Sequence, residues 1–587
     1  DALPAVLTFE DALGAGAPLV HDGVPGNVYF LGRRTYGDVE VAFGKADVTV
    51  EGEVTHPRVA AVPIETRGVV AVPTRDGVEV WTSTQMPHLV ADAIAECLQI
   101  DRAHVRVIAT DVGGGFGVKA QVYPEEILLA WIARRLQAPV KWIETRSEHL
   151  QAAGHARDQR VRFSAAVRND GRVLGLRATV HSSIGAYGIR PFGPLLDPLG
   201  TAGLIPGPYD ITDYQYETYA VATNKSPEGP YRGVGMVTAV MVHERVMDLA
   251  ATRLGIDPTD VRRKNLVPRE RMPYRSVTGH RFESGDYRSA LDAIDYASLR
   301  AERARLRDEG RLVGLGIGSY VEYTGAGSST FRGRGMLDIP GTDSARAWVA
   351  KDGRVHVQTS SPAMGQGAHT TLAQVAAEAL GVEAETVVVE QTDTAAVEGG
   401  TGSFMSRGSV TAATSVFRAA SLLKELQAEK GELDVTVTYD AAQASHPYAT
   451  HMCLVEVDRE TGATRVLRYV VAEDAGVLIN PTIVEGQVTG GVQQALGAAL
   501  MEEVVYGPDG ELRTGTFVDY LVPSISETVT VELTHLVTPS TVHELGTKGV
   551  GEGGTIGGTA AIANAVADAL SLSELRLPLS PDRLYDA

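Results

Sequence analysis

The sequence predicts an α+β protein with more than one domain. Three observations carry this reading. Strand-like and helix-like segments alternate along the whole chain; 587 residues exceed what one hydrophobic core organises; and 44% hydrophobic with 21% charged residues is an ordinary globular balance. Residues 1–45 hold a short apolar segment and a Gly/Pro-rich connection, "GAGAPLVHDGVPGN", and read as the end of an earlier unit. From Asp47, "DVTVEGEV" and then "RGVVAVPTRDGVEVWT" run β-branched between turn signals and predict strands. "PHLVADAIAECLQI" spaces its apolar residues as a helix does. A strand "VRVIATDV", a glycine loop and a helix opening at Pro124 follow, with Glu125 and Glu126 in the first turn, where proline and carboxylates are favoured. "PVKWIET" predicts another strand. The charged helical stretch "YASLRAERARLRDEG" and the fresh strand "RLVGLGIGSYVEY" place a boundary near residue 310, giving halves 46–310 and 311–587. A solvated helix inside one domain would read the same way.

Composition excludes several classes of function. The net charge of -20 argues against nucleic acid or an acidic membrane surface as partner, since phosphate binders gain affinity from excess Lys and Arg. A small-molecule substrate or another protein fits better. Cys97 and Cys453 are the only cysteines, too few for a disulfide framework, a cysteine zinc site or an iron–sulfur cluster held by this chain alone. Both are expected to act as small buried hydrophobes. No apolar run is long enough to cross a bilayer, and "DALPAVLTFEDAL" lacks the basic start and apolar centre of a signal peptide, so a cytoplasmic location is expected. The chain opens at Asp1 without a methionine, and an upstream segment is expected.

Four glycines fall within residues 113–117 of "DVGGGFGVK", a costly choice for backbone order unless something must approach the backbone closely. Gly115, Gly117 and Ala120 satisfy a loose G-x-G-x-x-A dinucleotide fingerprint, and Glu144 sits near the offset of its acidic partner. "VKAQVY" nevertheless intervenes before Pro124, so a structural glycine turn is the preferred reading and nucleotide binding the alternative. Three more glycine and hydroxyl clusters run into helices: "AMGQGAHTT", "TGSFMSRGSVTAAT" and "TKGVGEGGTIGGTAAIANAVADAL". Each alone is an ordinary N-cap; together they suggest helix N-termini gathered about one polyanionic ligand. Glu552 is the only carboxylate from Thr547 to Val566, flanked by Gly551, Gly553 and Gly554. A lone glutamate is usually a surface residue; buried beside a ligand, its raised pKa would suit a general base. There is no G-x-S-x-G elbow, H-E-x-x-H or P-loop. His446, His451 and His243 with Glu244 read as core or surface residues, since no third metal ligand is apparent.

In order along the chain, "TSTQMPH", "DVGGGFGVKAQVYPEE", "PYRGVG", "AMGQGAHTT", "SFMSRGSVTAA", "EDAGVLINPTIVEGQ" and "TKGVGEGG" resemble the molybdenum-binding large subunit of the xanthine oxidase, aldehyde oxidase and carbon monoxide dehydrogenase family. The resemblance implies two large mixed α/β molybdopterin-binding domains, preceded here by the remnant of an N-terminal hammerhead domain over residues 1–45. Gly115, Phe116 and Gly117 would lie against the molybdenum, with glycine needed because a larger side chain would block that approach. Gln85 would donate to the apical oxo group. Gln366 with Gly365 and Gly367, and the run Ser406, Arg407, Gly408 and Ser409, would hold the pterin and its phosphates. Asp474, Asn480, Gln487 and the segment Lys548, Gly549, Val550, Gly551 would complete the pocket. Arg232 would be an electrostatic stabiliser and Glu552 the general base. No side chain need ligate the metal, which the pterin dithiolene holds. The implied cofactor is molybdenum-molybdopterin, as the cytosine dinucleotide, with no flavin on this chain. The implied reaction inserts water-derived oxygen at an electrophilic carbon of an aldehyde or N-heteroaromatic ring. Electrons would leave through a small subunit with two [2Fe-2S] clusters and an FAD-binding medium subunit, in a dimer of heterotrimers.

Two departures bear on substrate. Carbon monoxide dehydrogenases carry a copper-holding cysteine in Y-R-C, where this chain reads Tyr231-Arg232-Gly233, so carbon monoxide oxidation is not expected. Purine-oxidising members place a glutamate and a phenylalanine where Ala120 and Val234 stand, so xanthine is not expected either. Two alternatives remain at this level: a nicotinamide-dependent dehydrogenase built on the glycine loop, and a catalytically silent scaffold subunit of the same fold.

Overall fold

Along the strand Leu312–Val321, alternation turns Gly314, Gly316 and Gly318 to one face. That bare strip receives the helix Gly553–Leu570, which presents Gly557, Ala561 and Ala565 to it. In the computed structural model, which describes residues 4–430 and 433–585, a Cβ on any of the three strand glycines would overlap helix backbone: Ala565 O, Ala561 O and Gly557 O in turn. A glycine inside a strand costs about 0.5–1 kcal/mol relative to alanine. Direct contact between helix and sheet offsets that cost, for the helix is buried from Gly553 to Ala567.

This helix is the hub of the molecule. It also packs against the helices Pro481–Leu500 and Gly235–Leu254. Its sheet runs in the order Leu312–Val321, Tyr448–Val457, Thr464–Asp474, Val531–Leu536. A six-stranded sheet of the first half runs Val28–Tyr36, Asp213–Ala222, Val173–Gly185, His155–Val167, Val48–Ala60, Leu575–Arg576, and one core cluster joins it to the hub. A five-stranded sheet (Thr392–Asp393, Val105–Ala109, Val78–Thr82, Gly68–Pro73, Val140–Ile143) has its own core beneath the helices Pro87–Leu98 and Pro124–Leu136. A second four-stranded sheet is Val387–Val389, Val355–Thr359, Thr342–Val349 and Asp434–Asp440, covered by Ala368–Leu380 and the helix that starts at Ala413.

The expected strands and helices thus assemble as an α+β fold. Two pairings cross the limit expected at residue 310. Leu575–Arg576 pairs with Val54–Thr55, and Thr392–Asp393 pairs with Ile108–Ala109, so the second half supplies an edge strand to both sheets of the first. Val28–Tyr36 pairs along Asp213–Ala222, which makes residues 28–36 of the opening segment part of the six-stranded sheet. The cysteine expectation needs correction: Cys453 is buried, but Cys97 is exposed. It lies with Glu96 on the last turn of Pro87–Leu98, outside the buried face that ends at Ala95. Among the described residues, no helix is long and apolar enough to cross a membrane.

Candidate active site

Four helix starts open on one cavity of about 1190 Å³, lined at those starts by Ala368, Gly408, Asn480 and Glu552. Asn480 caps its own helix through Ile483 N, 3.2 Å away. The helices from Ala368 and Gly553 and the π-turn Gly408–Ala412 have no side-chain cap. First-turn N–H groups without caps, at the positive ends of helix dipoles, are ready anion sites. Gly365, Gly408 and Gly486 face open space, with nothing within 4 Å of where a Cβ would stand. This wall of uncapped amides and bare glycines fits a phosphorylated pterin, and the side-chain amides Gln85 and Gln366 line the same cavity.

The "GGGFG" loop forms another wall, and its glycines have a reason in the protein itself. A Cβ on Gly117, at φ +105°, would stand 2.5 Å from Pro230 O, and one on Gly115 would overlap the Gln85 amide. The loop can therefore nest between Gln85 and the "PYRGVG" segment. Packing within the protein is thus a reason for these glycines beside the access to the metal that the resemblance implies. Gln85 Oε1 accepts from Gly117 N at 3.0 Å, and its Nε2 donates to Ser403 O at 2.6 Å, leaving one amide N–H. Gly117 thus has no free N–H to offer, whereas those of Gly115 and Phe116 have no partner among the described residues. Gln366 is also fixed from within, accepting from Met364 N at 2.6 Å.

Glu552 is the N-cap of the hub helix and is half-buried at the cavity wall. Its Oε1 accepts from Gly233 N at 2.7 Å, and its Oε2 lies 3.2 Å from Ser406 Oγ. Gly233, at φ +90°, leaves no room for a side chain, since a Cβ would stand 2.6 Å from Val237 Cγ2. Arg157 holds this loop from behind, donating to Arg232 O at 2.7 Å and Val234 O at 2.8 Å. Val234, β-branched yet at φ +47°, is a strained position that such bonds keep in place. The Arg232 side chain donates to Gly551 O, to Gln494 Oε1 at 2.9 Å and to Gln487 O at 2.9 Å. Burial lowers its pKa from the ordinary value, with Glu552 the main opposing charge.

All the expected site residues line this cavity except Gly367, Asp474 and Gly549. Asp474 instead accepts from Lys548 Nζ at 3.0 Å, in an ion pair with both side chains fully buried. Gly367 abuts Ile483, and Gly549 lies under Ser406. The Arg407 guanidinium is buried as well, its two terminal nitrogens donating to Asp343 Oδ2 at 2.8 Å, Gly341 O and Ala326 O, while its Nε has no partner among the described residues. The resemblance places these charges at the cofactor; in the structure Arg407 and Lys548 line the cavity and each is ion-paired within the protein, to Asp343 and Asp474.

The dinucleotide alternative does not survive the geometry. Glu126 Oε2 already accepts from Tyr123 N at 3.1 Å at the start of Pro124–Leu136, where a pyrophosphate would sit. Glu144 is committed to Arg67 and to His149 Nδ1 at 2.9 Å; burial pushes its pKa up, but these partners outweigh it and bring it to about 2. His243, His446 and His451 are all buried, bonded respectively to Ile205 O and Ser319 O, to Glu283, and to Tyr469.

Two features were missed from the sequence. Glu322, at the end of the glycine strand, is buried with its Oε1 2.8 Å from Ser406 Oγ. Burial first, then the Glu552 charge, push its pKa well above the ordinary carboxylate range. Its signal was a single carboxylate ending an apolar strand, "RLVGLGIGSYVEY". The second feature is an aromatic chamber at the cavity, with Phe404 edge-on to Phe192 at 5.5 Å and tilted to Phe331 at 6.0 Å. Burial lowers the His280 pKa there to about 3, so the ring is neutral. No sequence signal announces this chamber, because its rings come from three distant segments.

Two families of molybdopterin cofactor-binding domain match the chain, one over residues 20–266 and the other over 289–436 and 423–529. The nicotine 6-hydroxylase large subunit of Paenarthrobacter nicotinovorans is 34% identical over 97% of this chain and 77% of its own. The carbon monoxide dehydrogenase large chain of Hydrogenophaga pseudoflava is 31% identical over 100% of this chain and 82% of its own. The crystal structure of quinoline 2-oxidoreductase from Pseudomonas putida 86 superimposes with a TM-score of 0.94 at 35% identity, covering 100% of this chain and 82% of that one. Matched in both cofactor domains and along its whole length, with the glycine loop, the amides and the lone glutamate about one cavity, the chain belongs to the molybdenum hydroxylases of the xanthine oxidase family, as a molybdenum-binding, molybdenum-dependent oxidoreductase subunit.

Proposed function

We propose that this subunit hydroxylates an electron-poor carbon of a neutral N-heteroaromatic ring, with Glu552 as general base. The carrying observation is the Glu552 carboxylate at the cavity wall, fixed at both oxygens by Gly233 N–H and Ser406 Oγ. When bound, the molybdenum pterin supplies two-electron redox chemistry and water-derived oxygen. Glu552 takes up the proton released as the carbon–oxygen bond forms, and its fixed orientation keeps one lone pair toward the cavity. Arg232 stabilises negative charge that develops on the substrate, and Gln85 donates its remaining N–H toward the cofactor. The uncapped amides at Ala368 and Gly408, with Gln366, Ser409, Asn480 and Gln487, hold pterin and phosphates. The aromatic chamber favours a flat ring, which suits offset and edge-on aromatic packing. Relatives named for nicotine and quinoline support the same class. Gly233, with no room for a thiol in its present backbone, supports the expectation against a copper-dependent carbon monoxide site.

The proposal extends to a cytosine dinucleotide cofactor, whose second phosphate the row of helix starts would accommodate, and to iron–sulfur and FAD partner subunits in a dimer of heterotrimers. The two-cysteine count supports clusters on another chain, and relatives are named as a complex's subunit gamma and as large chains. Domain limits at residues 45 and 310, with 1–45 as the exit of a hammerhead domain, belong to the same proposal. The test is elemental and nucleotide analysis of the complex purified from its host, followed by oxidation assays on quinoline-type rings and aldehydes. Equimolar molybdenum, iron on a co-purifying small subunit, no copper, release of cytidine monophosphate and ring oxidation are the expected results. A complete complex without molybdenum, or one that oxidises aldehydes alone, would contradict the proposal.

A further inference from the structure

Behind Glu552, one hydroxyl stands between two carboxylates. Ser406 Oγ is 2.8 Å from Glu322 Oε1 and 3.2 Å from Glu552 Oε2. A serine hydroxyl has one proton, so it can donate to only one of them. If both carboxylates were ionised, the other contact would be bare oxygen against oxygen beside two like charges. One added proton resolves this, giving an ordered chain from one carboxyl O–H to the Ser406 oxygen and from the Ser406 O–H to the other carboxylate.

The surroundings decide where that proton sits. Glu322 is 1% exposed, and its Oε2 is buried without a hydrogen-bond partner in the structure. An ionised carboxylate could hardly leave a buried oxygen so unserved. The groups that face it are Glu552 at the start of the hub helix, Glu473 from Thr464–Asp474, Tyr320 on its own strand, and Arg232 from the loop before Gly235–Leu254. Glu473 has His535 Nδ1 3.1 Å away, on the parallel neighbouring strand. Arg232, the one cation among those facing groups, spends its guanidinium on Gly551, Gln487 and Gln494 instead. Glu552 by contrast receives the Gly233 N–H. The local backbone is built to hold the middle link: Met405 and Ser406 are both left-handed, at φ +52° and +49°, and a Cβ on Gly551 would stand 3.1 Å from Ser406 Oγ.

We propose that Glu322 carries the single shared proton of a Glu322–Ser406–Glu552 chain, and through Ser406 keeps the Glu552 carboxylate ionised and aimed at the reacting atoms. Glu322 is thus a positioning residue, and the inference rests on Glu552 being the base. Two carboxylates sharing a site split into one proton holder and one ionised partner, and the structure assigns the holder to the side away from substrate. Ionisation of Glu322 at high pH would reverse the direction of the Ser406 hydrogen bond and release Glu552.

The first measurement is the infrared spectrum of the molybdenum-loaded complex at neutral pH, read as difference spectra between wild type and variants. A protonated-carboxyl carbonyl band that disappears in Glu322→Gln and persists in Glu552→Gln is expected. Kinetics supply the second readout. Glu322→Leu should lower kcat about tenfold or more with KM little changed, the scale of a misplaced general base. Glu322→Gln, which keeps a neutral donor on Ser406, should rescue most of that loss and abolish the alkaline limb of the kcat profile. The proposal is overturned if no carboxyl band is lost in Glu322→Gln, or if that variant is as slow as Glu322→Leu. Should Glu322→Leu fail to fold, the Glu322→Gln spectrum and profile still decide. An active Glu552→Gln enzyme would instead refute the base, whatever the band at Glu322 shows.

Discussion

Lys548 and Asp474 both sit in motifs that resemble cofactor contacts, yet they meet each other at 3.0 Å with both side chains fully buried. At the residue scale this distinguishes bracing from binding. Removing one partner of a buried pair strands the other charge, at a cost of about 3–5 kcal/mol. Asp474→Ala should therefore lower the melting temperature sharply, with molybdenum per folded chain kept near wild type. Loss of cofactor with an unchanged melting temperature would show instead that Asp474 binds it directly. The same residues show where sequence reading stops. Gln85, Arg232, Gln366 and Glu552 were legible because glycines and hydroxyls crowd around them in ordered motifs, and all four line the cavity. The direction of the Arg407 guanidinium was not legible, since Asp343, which holds it, lies 64 residues away in sequence.

At the scale of elements, the bare strip Gly314, Gly316, Gly318 fixes how close the hub helix lies, and hence where Glu552 at its start meets Gly233 and Ser406. Gly316→Ala would place a methyl against Ala561 O and Ala565 N. Overpacking of this kind costs about 1–3 kcal/mol. The urea midpoint should fall, and kcat should fall with it because the helix start moves; an unchanged midpoint would show that the strip tolerates a Cβ. The strand and helix were each readable from their own residues. Their contact was not, because nothing in "GLGIGS" names the helix more than 200 residues later whose small residues complement it. For the same reason Glu322 passed unnoticed, since its meaning depends on Ser406 and Glu552.

Over the whole molecule, the halves are tied by backbone pairing at Leu575–Arg576 and Thr392–Asp393 and by a buried link through Tyr520. Tyr520 OH donates to Glu502 Oε2 at 2.7 Å and accepts from Ala60 N at 2.9 Å. Burial pushes the Glu502 pKa up from 4.5 to about 8. A folded value raised above the unfolded one favours the folded state while the group is protonated; that contribution is full below the unfolded value and is lost as pH rises through the folded one. Glu502 therefore makes the protein less stable as pH climbs from 4.5 to about 8, by a contribution on the order of a few kcal/mol. Glu502→Gln, whose amide oxygen can still accept from Tyr520, should flatten the fall of melting temperature across that window, and an equally steep fall would place the proton elsewhere. The fold class and family were visible in the sequence because segments from residue 81 to 554 keep one order; the pairings that cross the halves were not, since two-residue strands leave no pattern. The most direct test of the catalytic account is the turnover of Glu552→Gln in complex that retains wild-type molybdenum. A fall of about 10²-fold or more in kcat with the cofactor in place is predicted, and turnover close to wild type would contradict the assignment of this cavity's base.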